Sequence, residues 1–206
     1  MSGRIIIHGA GGHTRTVISI LLQQYKPDNI ICIDIPKYIN ETILKVRVMD
    51  NINYYPDDLH IISIGENNLR EKKFKELQAQ SYKIGFCISQ KSFIYNVKEI
   101  KKPNNCIAHG VYIGPEVSIG YNNIINNHAV IEHEVIIGNN VHIAPGAILL
   151  GRVKIGNNSF IGANSTIRDG ICICNNVIVG AGSVVVKDIN TPGIYVGCPA
   201  KRLNDK

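Results

Sequence analysis

The chain has 206 residues, 45% of them hydrophobic and 18% charged, with a net charge of +6. That balance is globular, not disordered, and no apolar run reaches membrane-spanning length. The six cysteines lack disulfide or zinc spacing, no basic stripe with interleaved aromatics marks nucleic-acid binding, and glycines and histidines replace a signal-peptide core after Ile5–Ile7, so a reduced, cytoplasmic protein is expected.

The first ninety residues alternate strand and helix signals. Arg4–Ile7 is a short apolar run and predicts a strand. Gly9-Ala10-Gly11-Gly12-His13-Thr14 follows as a glycine-rich turn, and Thr14–Gln24 predicts a helix. Ile30–Ile33 predicts a second strand ending at Asp34, and Leu59–Ile64 a third. Gly65-Glu66-Asn67-Asn68 leads into a charged helix at Leu69–Gln80, and Tyr82–Phe86 closes the set. The order predicts a small, Rossmann-like parallel α/β unit over residues 1–90. A strand, a Gly-x-Gly turn and a helix N-terminus direct backbone N–H groups at an anion. Asp34 stands where such a sheet places an acid for ribose hydroxyls. Thr14 replaces the third glycine of a dinucleotide fingerprint, and the unit is short, so a mononucleotide or nucleotide-sugar fits better.

Residues 88–106 are a transition, with Pro103-Asn104-Asn105 marking a boundary. From Ile107 to Val185 every sixth residue is aliphatic. Neither a helix nor an ordinary strand needs a period of six, whereas stacked repeats do. Corner signatures recur every eighteen residues, at Ile119-Gly120-Tyr121-Asn122, Ile137-Gly138-Asn139-Asn140, Ile155-Gly156-Asn157-Asn158 and Ile173-Cys174-Asn175-Asn176. Three hexads thus make one coil, with Gly and Asn at corners that need left-handed angles. Two residues before each aliphatic position the side chain is usually small or β-branched, as at Ala129, Val141 and Ser165. The expected fold of residues 104–206 is a left-handed parallel β-helix of hexapeptide repeats, an architecture dominated by acyltransferases, ending in a C-terminal tail.

The chain resembles the bacterial nucleotide-sugar N-acetyltransferases of the bacillosamine type and the related sialic acid O-acetyltransferases. The resemblance runs through the Gly-Ala-Gly-Gly-His turn, Ile64-Gly65-Glu66-Asn67-Asn68-Leu69-Arg70, Ile131-Glu132-His133-Glu134 and Val196-Gly197-Cys198-Pro199-Ala200-Lys201. It implies a homotrimer with acetyl-CoA as co-substrate along the β-helix between two subunits. It also implies a nucleotide-sugar in the N-terminal unit, placing Gly9, Gly11, Gly12, His13, Asp34, Gly65, Asn67 and Asn126 on the substrate side. The expected activity is N-acetylation of a nucleotide-linked 4-amino-4,6-dideoxy sugar, UDP-linked, for surface glycan or glycoprotein sugar synthesis. A sialate-type O-acetyltransferase and a non-catalytic nucleotide-binding β-helix are the alternatives.

His133 with Glu134 is the expected catalytic pair. Amine attack on a thioester needs a base, imidazole has a suitable pKa, and an adjacent carboxylate fixes its tautomer. His142 lies nine residues on, half a coil away, so it and His133 can meet only across a subunit interface. The resemblance places His142 beside the acetyl carbonyl. Gly151 lies one coil after His133, where its N–H is a candidate oxyanion donor. The coenzyme arm is expected past Gly162-Ala163 and Gly180-Ala181, with phosphates near Lys187, Lys201 and Arg202. His128 and His133 form His-x4-His, but a zinc set on such coils needs a third His near position 92, where Ser92-Phe93 stands, so no metal is expected.

Overall fold

The computed structural model describes residues 3–34, 40–96 and 100–203. The N-terminal unit contains β1 (Ile5–His8), α1 (Gly12–Leu21), β2 (Ile30–Ile33), β3 (Thr42–Ile43), β4 (Val46–Met49), β5 (Leu59–Ile62) and α2 (Asn67–Ala79). The sheet order is β3-β4-β2-β1-β5, with β1 parallel to both β2 and β5. Four-residue apolar strands buried between helices suit a parallel arrangement. The β3–β4 hairpin is an addition to the sequence expectation: its alternating Val46-Arg47-Val48 is a strand pattern, but Leu44 and Lys45 at the turn, with φ of 49° and 71°, are not turn-type residues. Conversely Tyr82–Phe86 contributes only a single bridge, Ile84 to His60.

The coils begin earlier than the aliphatic series. Cys87–Ile88 and Phe93–Ile94 already pair with Cys106–Ile107 and Tyr112–Ile113. The stack then has three parallel faces. An eight-stranded face carries, among others, Ile124–Ile125, His142–Ile143, Phe160–Ile161 and Val177–Val179. A six-stranded face carries Val130–Ile131, Ile148–Leu149 and Thr166–Ile167, and a four-stranded face Ile136–Ile137, Lys154–Ile155 and Cys172–Ile173. Every aliphatic residue of the six-residue series, Ile107 through Val185, is buried, as are the small residues two positions before it.

The corners are equally regular. From Asn104 to Gly182 every sixth residue has φ between 53° and 74°. Residues eighteen apart therefore stack in columns. Along one column Asn104 donates to Asn122 Oδ1 at 2.7 Å, Asn122 to Asn140 Oδ1 at 2.8 Å, and Asn140 to Asn158 Oδ1 at 2.8 Å. Asn tolerates the left-handed angle, and the ladder satisfies amides that burial would otherwise strand.

The N-terminal unit sits on the outer side of the eight-stranded face. Cys87, Cys106 and Ile124 point outward there and join one core with Val17, Ile20 and Leu21 of α1. Arg70 of α2 is completely buried at this junction, donating to Asn122 O, Ile64 O, Gly65 O and Asn67 Oδ1 at 2.8–3.2 Å. Burial pushes its guanidinium down to about 10, so it stays charged at neutral pH.

The ladder generates a graded prediction. Asn122 is fully buried and bonded on both sides, whereas Asn158 ends the ladder with one bond and is half-buried. Asn122→Ala should cost about 2–4 kcal/mol, from stranded amides plus the left-handed penalty for Ala. Asn158→Ala should cost markedly less, and equal losses of melting temperature would refute the ladder's role.

Candidate active site

Two groups of candidate functional residues emerge, on opposite sides of the prism. The first surrounds a cavity of about 890 Å³ at the carboxyl end of β1, β2 and β5, where an open parallel sheet places its ligands. Gly9, Gly11, Gly12, His13, Asp34 and Gly65, all expected on the substrate side, line it. Thr14, where a third glycine would stand, is buried and closes the turn by donating to Gly9 O at 2.8 Å. Gly9 has a φ of 117°, which favours glycine, and a Cβ there would crowd Ser63 Oγ at 3.1 Å. The Asp34 carboxylate accepts the Ala10 N–H, so it braces the turn as well as lining the cavity.

The cavity is also lined by His8, Asp50, Tyr54, Ser63, Glu66 and Lys73, none of which the sequence placed on the substrate side. The visible signal for His8 was its place at the end of the first apolar run, facing the glycine turn. His8 Nε2 lies 2.9 Å from His60 Nδ1, and Tyr54 and Tyr82 pack around His60. Burial holds His8 down to about 3 and lowers His60 as well.

Asn67 and Asn126 do not line this cavity. Asn67 is a bracket instead, donating to Ser159 O at 3.1 Å and accepting from Arg70 at 2.8 Å. Asn126 faces His142, its Nδ2 3.4 Å from His142 Nε2. His142 itself lies beneath the cavity wall, its Nδ1 3.1 Å from Gly65 O, its ring 6.3 Å from that of His13 and edge-on to Phe160. Burial, with Arg70 and His13 adding to it, lowers His142 to about 3. The carbonyl can only accept, so Nδ1 carries the hydrogen, and neutral Nε2 accepts from Asn126. In this arrangement Nδ1 is bonded to Gly65 O and Nε2 faces Asn126, so within one chain both ring nitrogens are turned toward protein groups.

The second group is the corner between the six- and four-stranded faces. His133 Nδ1 lies 2.8 Å from Glu134 Oε2. A carboxylate accepts only, so Nδ1 carries the hydrogen and Nε2 presents a lone pair. Gly151 lies one coil along, directly against the ring: a Cβ there would come within 2.4 Å of His133 Cε1. A side chain at 151 would thus force the His133 ring out of this position. Among the described residues no acceptor is bonded to its N–H, which leaves that donor available. Asp169 and Lys187 continue the same column, eighteen residues apart.

The corner of His133 is opposite the eight-stranded face, so His133 and His142 do not meet within one chain, as their spacing implied. Gly162, Ala163, Gly180 and Ala181 follow strands of the eight-stranded face and stack there, a Cβ on Gly162 meeting Gly180 C at 2.5 Å. Lys201 lies on the last strand of that face. They therefore do not adjoin the corner of His133 and Gly151 in the same chain. Among the described residues no group of three or more His, Cys, Asp or Glu is placed to hold a metal ion, and no helix is long and apolar enough to cross a membrane.

Comparison with known proteins places both halves. Residues 4–77 match the family model of the PglD N-terminal domain, and residues 152–187 that of the hexapeptide repeat of succinyl-transferase. The chain thus joins a PglD-type N-terminal domain to acyltransferase-type hexapeptide repeats, as the sequence resemblance implied. The fold is similar to that of PerB from Caulobacter crescentus, solved in complex with CoA and GDP-perosamine, at a TM-score of 0.82 and 25% identity over 98% of each chain. It is also similar to the acetyltransferase domain of PglB from Neisseria gonorrhoeae FA1090 in complex with acetyl coenzyme A (TM-score 0.89, 24% identity, 98% of this chain and 100% of that one). WeeI from Acinetobacter baumannii AYE shares the fold at a TM-score of 0.78 and 21% identity, over 97% of this chain and 99% of that one. No curated protein matches the chain by sequence.

The buried histidines set a pH dependence. His8 and His142 are both held near 3, so the folded state keeps them neutral while the unfolded chain protonates them below about 6.5. Their contribution is fully present above pH 6.5 and is lost as pH falls toward 3, at up to about 1.4 kcal/mol per pH unit for each. Melting temperature should therefore drop between pH 7 and 5, and His142→Phe should flatten that drop. A profile unchanged by the substitution would show that His142 is not buried neutral.

Proposed function

We propose that this chain transfers the acetyl group of acetyl-CoA to the amino group of a nucleotide-linked amino-deoxy sugar. The observation that carries the reading is the pairing, on one chain, of a PglD-type cavity with a hexapeptide corner whose histidine is backed by a carboxylate and lies against a glycine. The acetyltransferase class and the coenzyme agree with the structural neighbours, which include complexes with acetyl-CoA or CoA. One of these holds GDP-perosamine, an amino-sugar nucleotide, which supports the substrate class. The specific reading is a UDP-linked 4-amino-4,6-dideoxy sugar, acetylated in the cytoplasm for surface glycan or glycoprotein sugar synthesis.

The chemistry follows from the tautomer of His133. Nε2 takes a proton from the amine as its nitrogen attacks the thioester carbonyl, and the imidazolium is stabilised by Glu134. The Gly151 N–H is the donor for the oxyanion. Collapse expels the coenzyme thiolate, which His133 reprotonates. Glu134 thus acts through His133, and Gly151 both donates and makes room for the ring.

A homotrimer completes the site in this reading. His133 stands opposite the face that carries the cavity, so the cavity of one subunit needs the corner of another. The outward residues Phe160, Ile178 and Ile194 on the eight-stranded face, and Tyr112, Val130 and Ile148 on the six-stranded one, form apolar columns suited to that contact. The small residues at Gly162, Ala163, Gly180 and Ala181 would then flank a neighbour's corner and leave space for the pantetheine arm, with Lys187 and Lys201 near its phosphates.

Coupled thiol release with acetyl-CoA and a panel of UDP-, dTDP- and GDP-linked 4-amino-4,6-dideoxy sugars tests the reading, with free sialic acid as contrast. Turnover of sialic acid alone would replace N- with O-acetylation, and no turnover of any acceptor would reject the enzyme. With the active acceptor, His133→Ala should lower kcat by about 10²–10⁴, the usual worth of a general base. Gly151→Ala should act as a displaced base, with about a 10²-fold loss because the ring must move aside. Near-normal turnover in that variant would separate His133 from the chemistry.

A further inference from the structure

Fourteen residues from Asn104 to Gly182, at intervals of six, hold left-handed angles, and ten of them are Asn or Gly. The exceptions are Glu116, His128, Glu134 and Arg152. Three of these four lie one coil apart in the single column that carries the corner of His133. Charged side chains are held at such angles against local preference only where something over-determines them. For Glu134 that is His133. Arg152, at φ 59°, has its own set of partners. Its N–H bonds His133 O at 2.9 Å, fixing it in register over the catalytic corner. Its Nη2 lies 2.5 Å from Asp169 Oδ2, and its Nη1 lies 3.7 Å from Glu134 Oε2. That Oε2 is the same atom that accepts from His133 Nδ1.

We infer that Arg152 is a positioning residue for the base: anchored on Asp169, its guanidinium holds the Glu134 carboxylate against His133 Nδ1 and so keeps Nε2 unprotonated and reactive. The inference rests on the acetyltransferase reading for its kinetic consequence, but not for its structural one. The Glu134 side chain is 45% exposed and has three torsions to lose, so one bond to an imidazole leaves it free to swing away. A guanidinium 3.7 Å from the same oxygen narrows that freedom. When the carboxylate leaves, nothing selects the Nδ1–H form, and the proton can move to the nitrogen that must act as base. The Arg152 side chain is itself 55% exposed, so the effect is modest, on the order of fivefold in kcat, the upper end for exposed pairs.

The test uses the full chain labelled with ¹⁵N, without substrate, the His133 ring signals being identified by their loss in His133→Ala. In the natural sequence the Nδ1 and Nε2 shifts should report the Nδ1–H tautomer. In Arg152→Met they should move toward a mixture, and Arg152→Lys should restore part of the difference. With acceptor and acetyl-CoA, Arg152→Met should lower kcat about fivefold with KM for acetyl-CoA unchanged. In a Glu134→Gln background the same substitution should do nothing further, since both act through one carboxylate. An unchanged tautomer in Arg152→Met would overturn the inference. So would a raised KM for acetyl-CoA at constant kcat, which would make Arg152 a coenzyme contact. Absence of acetyl transfer by the unsubstituted protein would instead reject the proposed function, because the tautomer is read without turnover.

Discussion

The coil depends on one backbone constraint, a left-handed residue at every sixth position. For most L-residues that angle costs about 1–2 kcal/mol, and Asn or Gly escape much of it. Meeting the constraint fourteen times keeps the turns identical, and identical turns put residues eighteen apart in columns. Residues of one column then share one orientation along the stack. Inward columns become the aliphatic stack of Ile107 to Val185, and the column from Asn104 to Asn158 becomes a ladder of side-chain amides. The same stacking sets Gly151 against the ring of His133, a contact no local motif could specify.

The second determinant is the junction between coil and α/β unit. Asn104 accepts from Ile62 N, Asn140 donates to Asn67 O, and Arg70 reaches Asn122 O while bonding Ile64 O and Gly65 O. Burying a guanidinium is costly unless its donors are met, and here they are met by carbonyls from both units. The consequence is functional. Ile64 and Gly65 line the cavity, so its wall is clamped to the coil. His142 extends that clamp through Gly65 O, which makes it a support of the cavity wall as the chain stands.

The period of six was legible because it is spelled by residue type, aliphatic inside and Asn or Gly at corners. So was the cavity's glycine turn, since Gly9, Gly11, Gly12, His13 and Asp34 are contiguous or end a strand. What sequence left hidden was of two kinds. The β3–β4 hairpin turns at Leu44-Lys45, residues that carry no turn signal. His8, His60 and Arg70 draw their roles from burial between segments far apart in the chain, and a lone histidine or arginine in sequence looks the same whether buried or solvated. Asn67 is placed for a related reason: it stands in a motif with Gly65, but it is the first residue of α2 and turns toward Ser159.

A closed prism constrains what a single chain of this fold can do. Along the chain the faces follow in the order eight-, six- and four-stranded, so the corner after Ile131 is opposite the face on which His142 and the α/β unit sit. No side chain spans a filled aliphatic core, and no rotation of His133 alters which edge carries it. A reaction needing both the cavity and His133 must therefore take them from different subunits. In the proposed homotrimer, rotational closure would give each face a neighbour's corner, whereas a face-to-corner contact that did not close would build an open filament. The columns that make the coil uniform are thus also what keeps His133 and the cavity on opposite sides of one chain.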